Sequence, residues 1–236
     1  MSVPIPTATT SVARLPGSPR VVLPVLLLAG VVALSVDVAV SQFCHVQHGG
    51  QFAHEFLEHI EPFGQPTGLV IICAALFLCD AVRGRASVRI ALAAIGSGLS
   101  ADVLKLCVAR ARPYHFFSFT PEEVAGSVWN SFRGLFPLFA GGSKLQSFPS
   151  AHSAFVAGFC VALWAVYPKG KWLFVAVAAL VAVQRVEGGS HFLSDTLWGA
   201  AVGYGFCAIL FGENRLARSF ARFESAAALR VNNAFQ

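Results

Sequence analysis

Ser147-Phe148-Pro149-Ser150-Ala151-His152 opens an apolar run that continues to Tyr167. A proline just ahead, a serine able to cap and a histidine in the first turn describe the start of a helix. The first backbone N–H groups of such a helix lack intrahelical partners, and the positive end of its dipole sits with them. That end suits a phosphate or carboxylate, and a histidine beside it can exchange a proton near neutral pH. Taken alone, the hexapeptide fits a serine-capped helix with an incidental histidine better than a functional site. The sequence on either side decides between the two.

The run behind His152 is one of six. The others are Val21 to Val40, Gly68 to Val82, Val88 to Ala109, Trp172 to Gln184 and Thr196 to Phe211. At about 1.5 Å per residue, twenty residues cross a hydrocarbon core of roughly 30 Å. The second and fifth runs need flanking residues to reach that length. Of the 236 residues, 56% are hydrophobic and 12% charged, against about 25% charged in soluble domains. The expected fold is therefore an all-α integral membrane protein, six transmembrane helices in a bundle with amphipathic helices in the outer loops. Its expected divisions are a flexible tail over 1–20, the membrane domain over 21–212 and a basic amphipathic tail over 213–236. A cleaved signal peptide is the alternative for the first run, but the run is longer than a usual signal core and is followed by further spans.

The net charge of +5 could suggest nucleic acid. The basic residues, however, stand singly between apolar runs and form no recognition module, so no nucleic-acid partner is expected. The six cysteines show no paired Cys-x-x-Cys spacing and read as small buried hydrophobes. Six spans put both termini on one side, and that side collects eleven of the seventeen basic residues: Arg14, Arg20, Arg83, Arg85, Arg89, Lys169, Lys171, Arg215, Arg218, Arg222 and Arg230. By the positive-inside rule it is cytoplasmic. The opposite face holds Lys105, Arg110, Arg112, Arg133, Lys144, Arg185 and all seven histidines. Chemistry is expected there, outside the cytoplasm, in a bacterium at the inner membrane.

Two outer loops carry aromatic residues at helical spacing. Phe52, Phe56, Ile60 and Phe63 lie opposite Glu55 and Glu58, which predicts a helix in the interface. His54 and His59 resemble a zinc-binding His-Glu-x-x-His pair, but the second histidine falls one place too late to share a face with the first, and no metal is expected. Trp129, Phe132 and Phe136 predict a second surface-resting helix, with a lid over a lipid chain as one use for it. After Gly212, the positions of Leu216, Phe220, Phe223 and Ala227 among arginines predict a helix against the anionic inner leaflet.

Three polar clusters stand at the outer ends of these helices. In the first, Lys105 and Arg112 are seven residues apart, about 20° around a straight helix, so they share a face before Pro113 ends it. The second is the opening hexapeptide. In the third, two glycines follow Arg185 and Glu187, and His191 and Asp195 are one turn apart if the chain there is helical. An aspartate acceptor on one imidazole nitrogen leaves the other free as a nucleophile. Each cluster alone also fits an interfacial cation pair or a helix cap. Each also contains groups that a phosphoryl transfer needs, and their order, spacing and side of the membrane agree.

Lys-x6-Arg-Pro, then Pro-Ser-x-His, then Arg-x5-His-x3-Asp resembles the three-part signature of the type 2 phosphatidic acid phosphatase superfamily. The motifs cover residues 105 to 195, and the six-helix plan extends the resemblance over most of the chain. The resemblance implies that Lys105, Arg112 and Arg185 bind phosphate oxygens, with Ser150 and backbone N–H groups around Ala151 and His152. It implies that His191 attacks phosphorus, helped by Asp195, and that His152 protonates the leaving oxygen and then activates water, without a metal or other cofactor. Two positions depart from the pattern: Ala151 stands where the family usually has Gly, and Gln184 where it usually has Ser. The expected function is hydrolysis of a lipid phosphomonoester or diphosphate at the outer interface, the partners being that lipid and the bilayer. A lipid phosphotransferase is the nearest alternative, and a non-catalytic phospholipid-binding membrane protein is the alternative from another class.

Overall fold

The apolar runs fold as helices, and the first of them breaks in two. In the computed structural model, which describes residues 13–47, 51–80, 83–118 and 127–234, α1 spans Pro19–Ala33 and α2 spans Asp37–Gln47, with a 70° bend between them. The single straight span expected over Val21 to Val40 is thus two segments. Asp37 is the one acidic residue of that run, and the bend delivers it, fully buried, to Arg110. The next pair bends as well. α3 (Gln51–Ile60) and the 3-10 turn Glu61–Gly64 meet α4 (Pro66–Cys79) at 63°. α3 is the predicted amphipathic helix, with Phe52 and Phe56 exposed and Leu57 buried.

The centre is built from α5 (Ser87–Lys105), α7 (Ala151–Val166) and α9 (Leu193–Phe211), with α8 (Lys171–Glu187) packed on α7 and α1 on α9. Ile90, Ala93 and Ala94 of α5 interlock with Phe155, Phe159 and Leu163 of α7 and with Cys207, Leu210 and Phe211 of α9. Small residues let the helices approach closely. A Cβ on Gly199 would stand 2.4 Å from the Ser150 carbonyl oxygen, so this glycine is required where α9 meets the start of α7. Outward, Leu28, Ile71, Leu78 and Leu99 are exposed, a surface suited to lipid. Gly84–Lys105 and Leu193–Phe211 are each long and apolar enough to cross a membrane, and the two bent pairs raise the number of such spans to four. α7 is apolar but shorter, at 16 residues.

The sequence between α5 and α7 departs from the all-α expectation. α5 stops at Lys105, and Val108–Arg110 forms a strand, β1, paired antiparallel with β2 (Phe132–Leu135). Ala109 faces Gly134 and Arg110 faces Phe132 across the ribbon. Lys105 and Arg112 therefore do not share one helix, and Pro113 begins the short α6 (Pro113–Phe116) instead of ending a helix. Proline suits that first position, because the N–H it lacks has no intrahelical acceptor there. Likewise Trp129, Phe132 and Phe136 do not lie on a helix: a 3-10 turn, Val128–Ser131, runs into β2. Their three- and four-residue spacing mimics a helical stripe, but Phe132 instead stacks over the Arg110 guanidinium, 4.6 Å from ring centroid to Cζ.

At the start of the chain, residues 1–12 of the expected flexible tail lie outside the described residues. Ala13 and Leu15 pack against the core, and the Tyr204 hydroxyl donates to the Pro16 carbonyl at 2.9 Å. α10 (Arg215–Ala234) is the predicted C-terminal helix. Phe220 packs on the core and Phe223 is exposed; Ala227 lies beyond the described side chains.

Candidate active site

Ser150 caps α7, its Oγ accepting from the Ser153 N–H at 3.3 Å. The N–H groups of Ala151 and His152 precede the intrahelical ladder. Ala151 is helical; among the described residues the only non-glycine positions with positive φ are Phe136 and Leu138. An alanine in place of the family's glycine therefore carries no left-handed strain here. The Ser150 N–H donates to the Asp195 carbonyl at 3.0 Å, which ties the start of α7 to the start of α9.

The loop Gly188 to Phe192 brings His191 to this junction. Its ring is 2% exposed, and Nδ1 lies 2.7 Å from the Ser147 carbonyl oxygen. A carbonyl only accepts, so Nδ1 carries the proton and Nε2 keeps its lone pair. Burial, first, and then the positive charges of Arg112 and Lys105 hold His191 well below the usual histidine range. It is a neutral imidazole at neutral pH.

Asp195 is placed differently from the expectation. Its Oδ2 is 3.9 Å from His191 Nδ1, beyond hydrogen-bond reach. That oxygen instead accepts from the Ser147 hydroxyl at 2.6 Å and the Phe192 N–H at 2.9 Å, while Oδ1 accepts from Arg110 Nη1 at 2.5 Å. Asp195 thus reaches His191 through Ser147: the carboxylate holds the serine side chain, and the carbonyl of the same serine holds the imidazole.

Behind Asp195 lies a buried network that sequence reasoning missed. Arg110, fully buried, donates Nη2 to Asp37 at 2.7 Å, Nη1 to Ser194 at 2.8 Å and Nε to Ser131 at 3.1 Å. Asp37 also accepts the Ser194 N–H and hydroxyl. The available signal was Asp37 itself, since an acidic residue inside an apolar span has a partner or a function.

Lys105, Arg112 and Arg185 lie near enough to the two imidazoles for their charges to act on them. The charges of Arg112 and Lys105 act on both His191 and His152, and that of Arg185 acts on His152. Lys105 Nζ pairs with Asp102 at 3.1 Å and Arg185 with Glu61 at 2.9 Å. Gln184 accepts from Arg185 Nε at 2.5 Å, so this departure from the family pattern orients an arginine. Arg112 Nε is buried and has no hydrogen-bond partner among the described residues. An orphaned buried guanidinium donor is a group that a tetrahedral oxyanion would satisfy. The zinc-like histidines are used elsewhere, with His54 Nδ1 3.0 Å from Glu187 and His59 Nδ1 2.6 Å from the Glu55 carbonyl oxygen.

A helical membrane protein with a buried neutral imidazole and an unpartnered buried guanidinium at its helix ends points to the phosphate-handling class of its sequence motifs. The PAP2 superfamily pattern matches residues 86–214. The chain belongs to that superfamily. It is 35% identical over 130 residues to a lipid A 1-phosphatase of Rhizobium etli and 36% identical over 115 residues to one of Rhizobium johnstonii. These matches cover 49% and 47% of this chain, and 49% and 40% of those proteins, so the chain spans about half the length of the curated relatives it matches. The crystal structure of a transmembrane PAP2-type phosphatidylglycerolphosphate phosphatase from Bacillus subtilis shares the fold. It has a TM-score of 0.54 at 22% identity, over 82% of this chain and 94% of that one.

Proposed function

We propose that the protein is a membrane phosphatase that releases phosphate from a lipid phosphomonoester or diphosphate by way of a phosphohistidine. The observation that carries this is the buried His191 imidazole, held through Nδ1 on the Ser147 carbonyl at 2.7 Å so that Nε2 is free, in the field of Arg112, whose buried Nε has no partner. The relatives' names, lipid A 1-phosphatase and phosphatidylglycerolphosphate phosphatase, support a lipid substrate. Lys105, Arg112 and Arg185 bind the phosphate oxygens with the N–H groups at the start of α7. Nε2 of His191 attacks phosphorus as the phosphorus–oxygen bond to the leaving group breaks, and His152 gives that oxygen its proton. Water then attacks phosphorus, His152 takes its proton, and the phosphorus–nitrogen bond breaks to restore neutral His191.

Six spans, α1 with α2, then α4, α5, α7, α8 and α9, put both termini in the cytoplasm and the cup at the outer interface. The distribution of lysine and arginine supports that orientation. A substrate with its chains in the bilayer then meets a cup formed at helix ends. The test is phosphate release by purified protein in vesicles from phosphatidate, phosphatidylglycerophosphate, lipid A phosphate and undecaprenyl diphosphate. His191→Ala is expected to lose at least about 10³-fold in turnover; retained turnover would remove the nucleophile. Label passing to a lipid acceptor instead of water would mark a phosphotransferase.

A further inference from the structure

The two bent helix pairs each bring a carboxylate to an arginine. The bend between α1 and α2 delivers Asp37 to Arg110; the bend between α3 and α4 delivers Glu61, first residue of the turn Glu61–Gly64, to Arg185. Glu61 Oε1 lies 2.9 Å from Arg185 Nη2, and Gln65 Nε2 donates to the same oxygen at 2.9 Å. On the other side of the guanidinium, Nε donates to Gln184 at 2.5 Å. Nε and Nη2 form one edge of the planar fork. Gln184 and Glu61 therefore grip that edge together, which leaves the Nη1 end to turn toward an anion.

The same turn reaches His152. A Cβ on Gly64 would stand 3.6 Å from His152 Cδ2 and 2.9 Å from Val181 Cγ1, so a side chain there would push the turn off α7 and α8. Gly64 and Gln65 also share a cavity of about 250 Å³ with Ala151 and His152. Glu61 is thus anchored on a turn that touches the start of α7 and holds the arginine of α8. No residue of this turn belongs to the three sequence motifs.

We infer that Glu61 is a positioning residue, which fixes the Arg185 guanidinium so that its Nη1 end meets the phosphoryl group in the transition state. The inference rests on the phosphatase reading and adds a residue to that same site. The sign of its effect follows from charge. Removing the carboxylate leaves Arg185 uncompensated, so the attraction for phosphate in the ground state does not weaken. What is lost is orientation, and that loss falls on the transition state.

The experiment assays Glu61→Ala, Glu61→Gln, Arg185→Ala and the double variant Glu61→Ala with Arg185→Ala, in mixed micelles, on whichever of the lipid phosphates named above wild type turns over fastest. Glu61→Ala is expected to lose about thirtyfold in kcat with KM within about twofold of wild type. The Glu61 side chain is 31% exposed, so water can take its place and the melting temperature should hold. Glu61→Gln keeps an oxygen at the same position and is expected to stay within about threefold of wild type. In the Arg185→Ala background the further Glu61→Ala change is expected to cost no more than about twofold, because the group it acts through is gone. The charge of Glu61 also acts on His152; Glu61→Gln as slow as Glu61→Ala would assign it that electrostatic role and overturn positioning. A Glu61→Ala cost that persists undiminished without Arg185, or one seen in KM alone, would overturn it too. Wild-type turnover in Glu61→Ala would overturn the inference and leave the phosphatase reading intact. Wild type inert on every one of those lipids would sink the phosphatase reading and this inference with it.

Discussion

Two arginines, Arg89 in the first turn of α5 and Arg110 in β1 beyond its other end, look alike in isolation. Arg89 lies 4.0 Å from the Phe211 ring and 5.6 Å from Phe220; Arg110 lies 4.3 Å from Phe192 and 4.6 Å from Phe132. Both are buried, and both pair with a carboxylate. Their remaining acceptors differ. Arg89 sends Nε and Nη2 to the Leu210 carbonyl, at 3.1 and 2.6 Å, and so caps the end of α9 while Glu224 of α10 takes Nη1 at 3.0 Å. Arg110 meets the side chains of Asp37, Ser194 and Asp195, and Asp195 leads through Ser147 to His191. Burial between two aromatic rings thus says nothing about function. The acceptors do: main-chain carbonyls make a fastening, and a relay of side chains makes a positioning device.

The sharpest way to break this contrast is Arg110→Ala. It leaves Asp37 and Asp195, both at 0% exposure, without their shared cation. Loss of one partner from a buried pair costs about 3–5 kcal/mol, and two carboxylates are orphaned here. Chemical denaturation in detergent should show a loss of at least that size, together with loss of phosphate release. A variant that folds as well as wild type would mean the network is not what holds Asp195.

A smaller effect separates the two ends by pH. His191 has its folded pKa pushed below its unfolded value by burial and by Arg112 and Lys105. The unfolded chain therefore binds the proton first. The stabilisation is present above about pH 6.5 and is lost as pH falls below it, by at most about 1.4 kcal/mol per pH unit. Melting temperatures at pH 7.5 and 5.5 should fall more for wild type than for His191→Asn, and by the same amount for wild type and Arg89→Ala. Equal falls for wild type and His191→Asn would mean that the imidazole takes up its proton alike in the folded and unfolded chain.

What could be read in the sequence was whatever local spacing encodes. Lys105, Arg112, Ser150, His152, Arg185 and His191 lie in short motifs at helix ends, and the structure gathers them. The partners of Arg110 lie 73, 84 and 85 residues away in the chain, and no local pattern connects them. Asp37 read as a polar interruption because its partner sits beyond a bend that the apolar run does not announce. The ribbon was hidden for a different reason. Aromatic residues three and four apart satisfy a helical stripe, and only the pairing of Gly134 with Ala109 reveals strands. Asp195 was expected to touch His191 because four residues separate them, but His191 precedes α9, and the carboxylate turns back onto the Phe192 N–H to cap it.

The smallest expected effect on turnover belongs to Arg89→Ala, and it tests the contrast from the other side. Removing this guanidinium frees the Leu210 carbonyl and leaves Glu224, which at 18% side-chain exposure is still reached by water. Water can repair part of that loss, so the cost is about 1–3 kcal/mol, less than at Arg110, where both carboxylates are sealed. Phosphate release at saturating substrate should stay within about twofold of wild type, because no acceptor of Arg89 leads to an imidazole. A fall in turnover as deep as that of Arg110→Ala, in protein that remains folded, would mean that the fastening of α9 at one end sets the position of Asp195 at the other. The two arginines would then be parts of one device.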